Sequence, residues 1–399
     1  MSHAKRVAII GAGPIGLEAA FQVAQAGLEP VVFEKGQVGD NVLSWGHVRL
    51  FSPFALNSST AVSDAIRRMH GDDFLPDDDE LLTGSEYAER YLYPLSELKC
   101  LEGCIHEDTM VESIARPWAS KSLGQDRGDD GFELLAMTPE RERYESAAVV
   151  LDCSGTYPNY RWIGGGGQGC PGEADELRDH HYTLQDIAGQ QSDFYAGRHT
   201  LVVGSGYSAA TAIVALGELI EQNPKTCVTW LTRGAGDAPI RRVEDDPLPE
   251  RDRIAARANE LAMSDAVEWI TDQRIVRLNK TRKFLVLLET RSASREERRF
   301  DNVVAHAGFR PDTSMYEELQ VHAHPATDGP FDLASELISR GGDCLNQAAP
   351  TAESLSTSEP GFFVLGSKSY GRSSQFLIQD GLKQISAVMP LVQKHCGLG

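Results

Sequence analysis

The chain has 399 residues, enough for roughly two or three domains, and its hydrophobic content of 41% is typical of a globular protein. Its 38 basic and 58 acidic residues give a formal net charge of −20. This charge argues against binding to nucleic acid or to an anionic membrane, because both require a basic surface. Seven cysteines, an odd number in a long chain, do not indicate a disulfide framework. Together with the lack of a signal-peptide pattern, they predict a cytoplasmic protein.

The stretch from Val7 to Lys35 predicts a strand, a glycine turn, a helix and a second strand in direct succession. The apolar run Val7–Ile10 is typical of a buried parallel strand. Leu17–Ala26 is a good helix former that ends at a glycine, and Val31–Phe33 is a second apolar run. This succession is typical of a dinucleotide-binding unit.

The turn of this unit carries Gly11, Gly13 and Gly16 in the spacing G-x-G-x-x-G. Gly11 would allow the tight turn, Gly13 would let the backbone approach a pyrophosphate, and Gly16 would let helix and strand pack closely. Glu34, which ends the second strand, would accept hydrogen bonds from a ribose hydroxyl. The predicted contacts also include the neighbouring residues Pro14, Ile15 and Lys35. The alternative, a glycine-rich turn in an unrelated α/β domain, is disfavoured by the full succession of elements.

Residues 38–62 show no clean periodicity and predict a long ordered loop. Such loops are usually functional when they occur in compact domains. The side chains that single this loop out are polar or aromatic, and they include Trp45, His47, Arg49 and Asn57.

The next part of the chain predicts a helix and then a group of strands. Residues Thr83–Leu98 fit a helix that is interrupted near a proline. The runs Met110–Ala115, Gly131–Met137 and Arg143–Leu151 predict a β-meander. The glycine-rich segment 164–172 marks a domain boundary.

A second dinucleotide-binding succession begins with the predicted strand Thr200–Val203 and continues with Gly204–Ala209 in the spacing G-x-G-x-x-A. The uncharged run Leu201–Gly217 contains glycine and serine, so it fits a buried strand and helix better than a membrane span. After the next strand, Thr226–Leu231, the position of the acid in the first unit is taken by Arg233. An arginine there accommodates the 2′-phosphate of NADP. The predicted contacts of this second site are Gly204, Gly206, Tyr207, Ser208 and Arg233.

An enzyme that passes hydride from NADPH to FAD requires two nucleotide sites. The two predicted sites fit this requirement, because one ends in an acid and the other in an arginine. Arg241 and Arg242 either add to the phosphate pocket or form a solvated basic loop. Near the C-terminus, Ser374–Leu391 predicts a final helix with Ser373 as its N-cap. No pattern of residues indicates a metal site.

Four motifs resemble those of flavoproteins that contain two dinucleotide-binding domains, and the resemblance covers nearly the whole chain. They are GAGPIGLEAA at 11–20, VVLDCSGTYPN at 149–159, NVVAHAGFRPD at 302–312 and GFFVLGSKSYGR at 361–372. The resemblance implies an α/β fold of two Rossmann-like dinucleotide-binding domains, with the NADP-binding domain inserted into a discontinuous FAD-binding domain. The implied bounds are 1–158 and 301–399 for the FAD-binding domain and 159–300 for the NADP-binding domain.

The same resemblance implies FAD contacts outside the first fingerprint, namely Gly155, Gly366, Ser367, Arg372 and Gln375. Ser367 stands where many of these flavoproteins have an aspartate. Arg372 and Gln375 are placed at the entry of the final helix, whose N-terminus would stabilise negative charge on the flavin.

The positions of the cysteines distinguish between groups of these flavoproteins. Disulfide reductases of the glutathione reductase type carry a redox pair in the loop that corresponds to Gly36–Gly46, which has no cysteine in this chain. Thioredoxin reductases carry their pair in the segment that corresponds to Pro171–His199, which also has none. Cys100 and Cys104 lie in an insertion, so a dithiol site of the family type is disfavoured.

What remains resembles the flavin-containing monooxygenases and their Baeyer–Villiger relatives. The matching features are an inserted helix with Tyr87 and Tyr91, the segment Asp179–Tyr182, the pair Tyr207 and Ser208, and an asparagine motif at Ala55–Ser59. The full F-x-G-x-x-x-H pattern of the Baeyer–Villiger enzymes is absent.

This resemblance implies that NADPH reduces FAD and that the reduced flavin reacts with molecular oxygen. The resulting flavin C4a-hydroperoxide would oxygenate a small soft nucleophile. Asn57 is the predicted polar contact beside this adduct, with a role as N-cap of the following helix as the alternative. His47 and Arg49, with Trp45, would line the flavin face, bind an anionic substrate or only hold the loop. Two further hypotheses are an NADPH-dependent reductase without oxygenation and, least favoured, a nucleotide sensor without turnover.

Overall fold

The computed structural model describes residues 5–122, 130–234, 236–340 and 350–398. The chain divides into two compact units. Unit 1 comprises Met1–Gly46, Pro53–Asn159 and Arg310–Gly399. Unit 2 comprises His47–Ser52 and Tyr160–Phe309.

The strands of the described part of the chain are numbered in chain order. They are β1 Arg6–Ile10, β2 Glu29–Phe33, β3 Ile105–His106, β4 Met110–Ala115, β5 Phe132–Met137, β6 Glu142–Ala147, β7 Val149–Asp152, β8 His199–Val203, β9 Cys227–Leu231, β10 Val267–Ile270, β11 Gln273–Lys280, β12 Phe284–Thr290, β13 Arg295–Phe300, β14 Asn302–Ala305 and β15 Phe362–Val364.

The helices are numbered in the same way. They are α1 Pro14–Gln25, α2 Asp40–Leu43, α3 Thr60–His70, α4 Gly84–Tyr87, α5 Tyr93–Ser96, α6 Glu173–Glu176, α7 Asp179–Tyr182, α8 Ser192–Tyr195, α9 Tyr207–Gln222, α10 Pro249–Met263, α11 Phe331–Arg340, α12 Ala352–Leu355 and α13 Ile378–His395. A π-helical segment, Ala88–Leu92, joins α4 to α5, so the predicted helix over 83–98 is present in three pieces. None of the described helices is both long and apolar enough to cross a membrane.

Unit 1 is built on a parallel sheet with the strand order β15-β7-β1-β2-β3. Its inner strands are buried on both faces, as the continuous apolar runs predicted. A separate antiparallel sheet, β4-β5-β6, belongs to the same unit. The run predicted as one strand over 143–151 divides at Ala148: β6 joins the antiparallel sheet, and the fully buried β7 joins the parallel one.

Unit 2 is built on a parallel sheet with the strand order β10-β9-β8-β14 and an antiparallel sheet, β11-β12-β13. Helices α9 and α10 pack together. A Cβ on Gly217 of α9 would lie only 2.6 Å from Leu261 Cδ1 of α10, so glycine allows this close contact. Residues 301–309, which the predicted bounds placed in the FAD-binding domain, lie in unit 2 because β14 pairs in register with β8.

The final helix differs from its prediction. It begins at Ile378 and not at Ser374, and it runs on to His395. The N-cap residue is Leu377 and not Ser373, and its backbone N–H donates to Asp380 Oδ2 in the first turn of the helix at 3.1 Å.

A buried ion pair in unit 1 holds the antiparallel sheet against the start of β15. Arg116 Nε donates to Glu359 Oε1 at 2.9 Å, and both side chains are almost fully buried. The guanidinium also donates to the carbonyl oxygen of Gly131 and lies 3.8 Å from the ring centroid of Phe132. The second carboxylate oxygen of Glu359 accepts from the backbone N–H of Gln320 at 2.8 Å. Removing one partner would therefore leave a buried charge without its compensation.

We expect Arg116→Met to lower the free energy of unfolding by about 3–5 kcal/mol, because Glu359 would remain buried and charged. Urea unfolding followed by circular dichroism measures this loss. Arg277→Met is the matched control, since its pair with Glu297 is exposed and should contribute only about 0–1 kcal/mol. Equal losses in the two variants would contradict the importance of the buried pair, and the double variant Arg116→Met/Glu359→Gln should recover part of the loss.

Candidate functional site

The glycine turn of unit 1 has the geometry that a dinucleotide-binding turn requires. Gly11 has a φ of +99°, which favours glycine, and a Cβ there would lie 2.9 Å from the carbonyl oxygen of Cys153. A Cβ on Gly16 would lie only 1.8 Å from the carbonyl oxygen of Gly11. A Cβ on Gly13, by contrast, would meet no atom of the described chain within 4 Å. The first and third glycines therefore allow close packing, and the second leaves the approach to the backbone open.

Glu34 lies beside this turn at the carboxyl end of β2. Its Oε2 accepts from the backbone N–H of Ala12 at 2.7 Å, and its Oε1 accepts from that of Gly36 at 2.9 Å. The side chain is half-buried. Because these two bonds fix the carboxylate while each oxygen keeps a further lone pair, it can accept from a hydroxyl group placed next to the turn.

A cleft in unit 1 brings several of the predicted residues together. Its lining includes Gly11, Glu34, Lys35 and Gly155. Pro14 and Ile15 are placed differently: Pro14 opens α1, and the buried Ile15 side chain packs where a Cβ on Gly366 or Gly381 would be. Ile15 thus packs α1 against α13.

The C-terminal motif lies next to the β7 motif. Ser367 Oγ would lie 3.4 Å from a Cβ on Gly155, which places the two predicted FAD contacts side by side. The next residue, Lys368, is almost fully buried; its Nζ lies 2.6 Å from Asp152 Oδ2 and 3.1 Å from Ser154 Oγ. This ion pair was not predicted from the sequence. The feature that could have indicated it is Asp152, a charged residue at the end of the apolar strand β7.

Arg372 and Gln375 do not stand at the entry of the final helix, because that helix begins at Ile378. Arg372 forms an ion pair with Asp328 at 2.5 Å, and Gln375 is exposed in the turn before the helix. The predicted link between these two residues and the helix N-terminus is therefore wrong.

Asn57 is buried in unit 1 and does not cap the helix that follows it. Its side-chain Nδ2 donates to the backbone carbonyl oxygen of Pro53 at 3.1 Å. The backbone carbonyl oxygen of Asn57 accepts from the hydroxyl of Tyr87 at 2.6 Å. The N-cap of α3 is Ser59, whose Oγ accepts from Val62 N–H and donates to Glu18 Oε2 at 2.9 Å. Of the two hypotheses for Asn57, the N-cap role is wrong.

Glu18 was not among the predicted residues, although it lies only two residues after Gly16. Its side chain is 1% exposed, and burial raises its pKa above the usual value. With Tyr91, whose hydroxyl accepts from Ser59 N–H at 3.0 Å, it fastens the segment around Asn57 to the first fingerprint helix. The sequence feature that could have identified Glu18 is its position as a single acid among the apolar residues of α1.

The other predicted residues of the loop belong to different units. Trp45 belongs to unit 1, where its ring lies 2.9 Å from the position of a Cβ on Gly84. His47 and Arg49 are exposed residues of unit 2. The three side chains are therefore not one group on one unit.

The glycine turn of unit 2 repeats the arrangement of unit 1. Gly204 has a φ of +131°, and a Cβ there would lie 2.1 Å from the carbonyl oxygen of His306. A Cβ on Gly206 would meet nothing within 4 Å in the described part of the protein. Tyr207 and Ser208 then form the first turn of α9, whose N-terminal N–H groups have no side-chain cap at Gly206.

The basic residues after β9 have different environments. Arg233 and Arg241 are exposed. Arg242 donates to both carboxylate oxygens of Asp252 at 2.8 and 2.7 Å, so its guanidinium is already engaged by an acid. Of the two hypotheses for Arg242, this pairing favours the solvated loop.

Comparison with known proteins gives matches at three levels. The model of the pyridine nucleotide-disulphide oxidoreductase family matches residues 8–333. A human protein named as a putative N-oxide-forming dimethylaniline monooxygenase is 27% identical over 250 residues, which cover 61% of this chain and 42% of that protein. The chain thus spans less than half the length of this curated relative.

Two solved structures have a similar fold. Bacillithiol disulfide reductase from Bacillus cereus has a TM-score of 0.70 at 18% identity, with 99% of each chain covered. A flavin-containing monooxygenase from Stenotrophomonas maltophilia has a TM-score of 0.59 at 18% identity, with 98% of each chain covered.

The family match and the structural neighbours confirm the predicted fold class, two dinucleotide-binding units of α/β architecture. The family match also confirms the predicted enzyme class at the level of an oxidoreductase that uses a pyridine nucleotide. Since the matched residues make up most of the sequence, this chain belongs to the pyridine nucleotide-disulphide oxidoreductase family.

Proposed function

We propose that this protein is an NADPH-dependent FAD monooxygenase that oxygenates a small soft nucleophile, such as an amine or a sulfur compound. The observation that carries the cofactor assignment is the contrast between the charged residues that follow the second strand of each unit. Each glycine turn leaves its middle glycine, Gly13 or Gly206, open to a ligand. In unit 1 Glu34 follows β2 directly, and in unit 2 Arg233 is the second residue after β9. An acid suits a ribose with free hydroxyl groups, and an arginine suits a 2′-phosphate.

We therefore assign FAD to unit 1 and NADP to unit 2. Bound FAD would supply the hydride acceptance and the reaction with oxygen. The chain would supply the binding and the orientation: Glu34 would hold the adenosine ribose, and Gly13 would admit the pyrophosphate to the N-terminus of α1. Ser367 and Gly155, which lie side by side, would contact the flavin nucleotide where many related proteins use an aspartate.

Three of the cysteines are poorly suited to thiol chemistry. Burial raises the pKa of the Cys153 thiol well above its usual value, and that of Cys170 to about 12. Burial and then the neighbouring Cys100 raise the pKa of Cys104 as well. A thiol of raised pKa is a poor nucleophile at neutral pH, since the thiolate is the reactive form. The monooxygenase name of the human relative is in line with oxygenation.

In this proposal Asn57 supplies the polar contact beside the reacting part of the flavin. Its burial and its bond to Pro53 hold the amide in one orientation. The substrate is a small molecule with molecular oxygen as the oxidant, and the net charge of −20 is consistent with no nucleic-acid partner. The odd cysteine number is in line with a cytoplasmic location.

The two alanine substitutions at Gly13 and Gly16 test the FAD site with identical chemical changes. We expect Gly13→Ala to fold normally, because a Cβ at this position meets no other atom of the described protein within 4 Å. It should lose most of its FAD, because the added methyl group would occupy the space that the pyrophosphate needs. Gly16→Ala should lower the thermal midpoint of the protein, since its Cβ would overlap the carbonyl oxygen of Gly11. The measurements are the flavin-to-protein absorbance ratio after gel filtration and the thermal midpoint. Full retention of FAD by Gly13→Ala would contradict the assignment.

Oxygenation is tested by reducing the purified holoprotein with NADPH without air and then admitting oxygen. We expect a long-lived absorbance distinct from those of the oxidised and the reduced protein. Asn57→Ala should shorten its lifetime about tenfold or more, with release of hydrogen peroxide, if the amide contributes about 1.5 kcal/mol of hydrogen bonding.

Ser58→Ala is the matched control, because Ser58 Oγ also donates to a local carbonyl oxygen, that of Phe54, at 3.0 Å. It should leave the lifetime unchanged. Immediate return of the oxidised spectrum in the unmodified protein would support a reductase instead, and failure of both nicotinamides to bleach the flavin would contradict both hypotheses.

A further inference from the structure

The segment His47–Ser52, which we call the strap, belongs to unit 2 although the chain on both sides of it belongs to unit 1. Along the chain it lies between Gly46 and Pro53, in the part that the sequence assigned to FAD. Its own packing instead joins it to the unit that carries the second fingerprint.

Phe51 anchors the strap at the second fingerprint. Its ring meets the ring of Tyr207 edge-on, with centroids 5.5 Å apart and an angle of 66°. Both rings pack against the core that lies beneath α9. Tyr207 is the first residue of α9 and directly follows Gly206, so Phe51 lies at the helix N-terminus where the pyrophosphate of a dinucleotide binds.

Arg49 lies on the same strap, two residues before Phe51, and near the first turn of α10. The hydrogen bond from Arg253 and, to a lesser degree, the charge of Arg49 hold the pKa of Glu250 below its usual value. Arg49 is exposed. The strap thus contacts the first residue of α9 through Phe51, and the charge of Arg49 acts on the first turn of α10.

Both of these N-termini lie at the carboxyl edge of the parallel sheet of unit 2. Helix α9 begins directly after β8, and α10 returns from the region after β9 to the start of the parallel strand β10. Arg233 follows β9 at the same edge. In parallel sheets of this kind the dinucleotide lies across this edge, with the 2′-position of its ribose near the end of the second strand.

From this placement we propose that Arg49 binds the 2′-phosphate of NADP together with Arg233, and that Phe51 fixes the strap in the position for this contact. Arginine suits the role because its guanidinium can donate two parallel hydrogen bonds to a phosphate. The inference rests on the proposed function of unit 2 as the NADP site. It replaces the three roles that the sequence left open for Arg49, namely lining the flavin face, binding an anionic substrate and holding the loop.

The test measures binding of two nucleotide fragments to the FAD-loaded protein by titration calorimetry. Adenosine 2′,5′-bisphosphate carries the 2′-phosphate, and 5′-AMP is the same fragment without it. We expect Arg49→Gln to weaken the bisphosphate about tenfold or more, which corresponds to one charge-assisted hydrogen-bonded contact. The affinity for 5′-AMP should change less than about twofold, and Arg49→Lys should retain part of the preference because it keeps the charge.

Arg277→Gln is the control for a general loss of positive charge, since Arg277 lies on the antiparallel sheet of the same unit and pairs with Glu297. It should leave both affinities unchanged. If the unmodified protein does not prefer the bisphosphate, the proposed NADP preference of unit 2 fails. If it does prefer it and Arg49→Gln keeps that preference, or loses affinity for both fragments equally, the role of Arg49 is overturned.

Discussion

The nucleotide site of unit 1 depends on a close approach between the start of α1 and the end of β1, which requires the absence of one side chain. A Cβ on Gly16 would lie 1.8 Å from the carbonyl oxygen of Gly11. Glycine at position 16 therefore lets the helix begin next to Gly11, which lines the same cleft as Glu34. The position of the nucleotide site therefore follows from this backbone contact.

Unit 2 meets the same requirement with a different residue. Its third fingerprint position is Ala209, which is fully buried, so the helix there accepts a Cβ. In unit 2 the tight contact is at Gly204, where a Cβ would lie 2.1 Å from the carbonyl oxygen of His306, the residue that follows β14. Gly11 and Gly16 in unit 1 and Gly204 in unit 2 are in close contact with backbone atoms, whereas the middle glycine of each turn, Gly13 or Gly206, is left open. This shared pattern is why the spacing of a few glycines predicted both glycine turns from the sequence.

The rest of the fold was predictable only where local pattern decides it. The apolar runs of β1 and β8 and the helices after them follow from periodicity and from glycine punctuation. The run over 143–151 looked continuous, yet it divides between two sheets, because its second half pairs with β1 and β15 at a large distance along the chain. The start of α13 was placed four residues too early since Ser373 has the chemistry of an N-cap, but the backbone turns before the helix begins. Likewise, no local feature of His47–Ser52 indicates that it packs with α9.

The buried pair of Asp152 and Lys368 has a similar origin in contacts that are distant along the chain. An ion pair removed from water gives little net stability, because the cost of desolvation offsets most of the attraction. Its geometric effect is more specific: Asp152 ends β7, Lys368 follows β15, and the ammonium also reaches Ser154 at 3.1 Å. The pair thereby joins the two segments that carry Gly155 and Ser367. The resemblance to related flavoproteins implies an aspartate at the position of Ser367, which would add a second carboxylate directly next to Lys368 in the chain. With serine there, the ammonium of Lys368 has Asp152 as its carboxylate partner, and the neutral hydroxyl of Ser367 adds no further charge next to this pair.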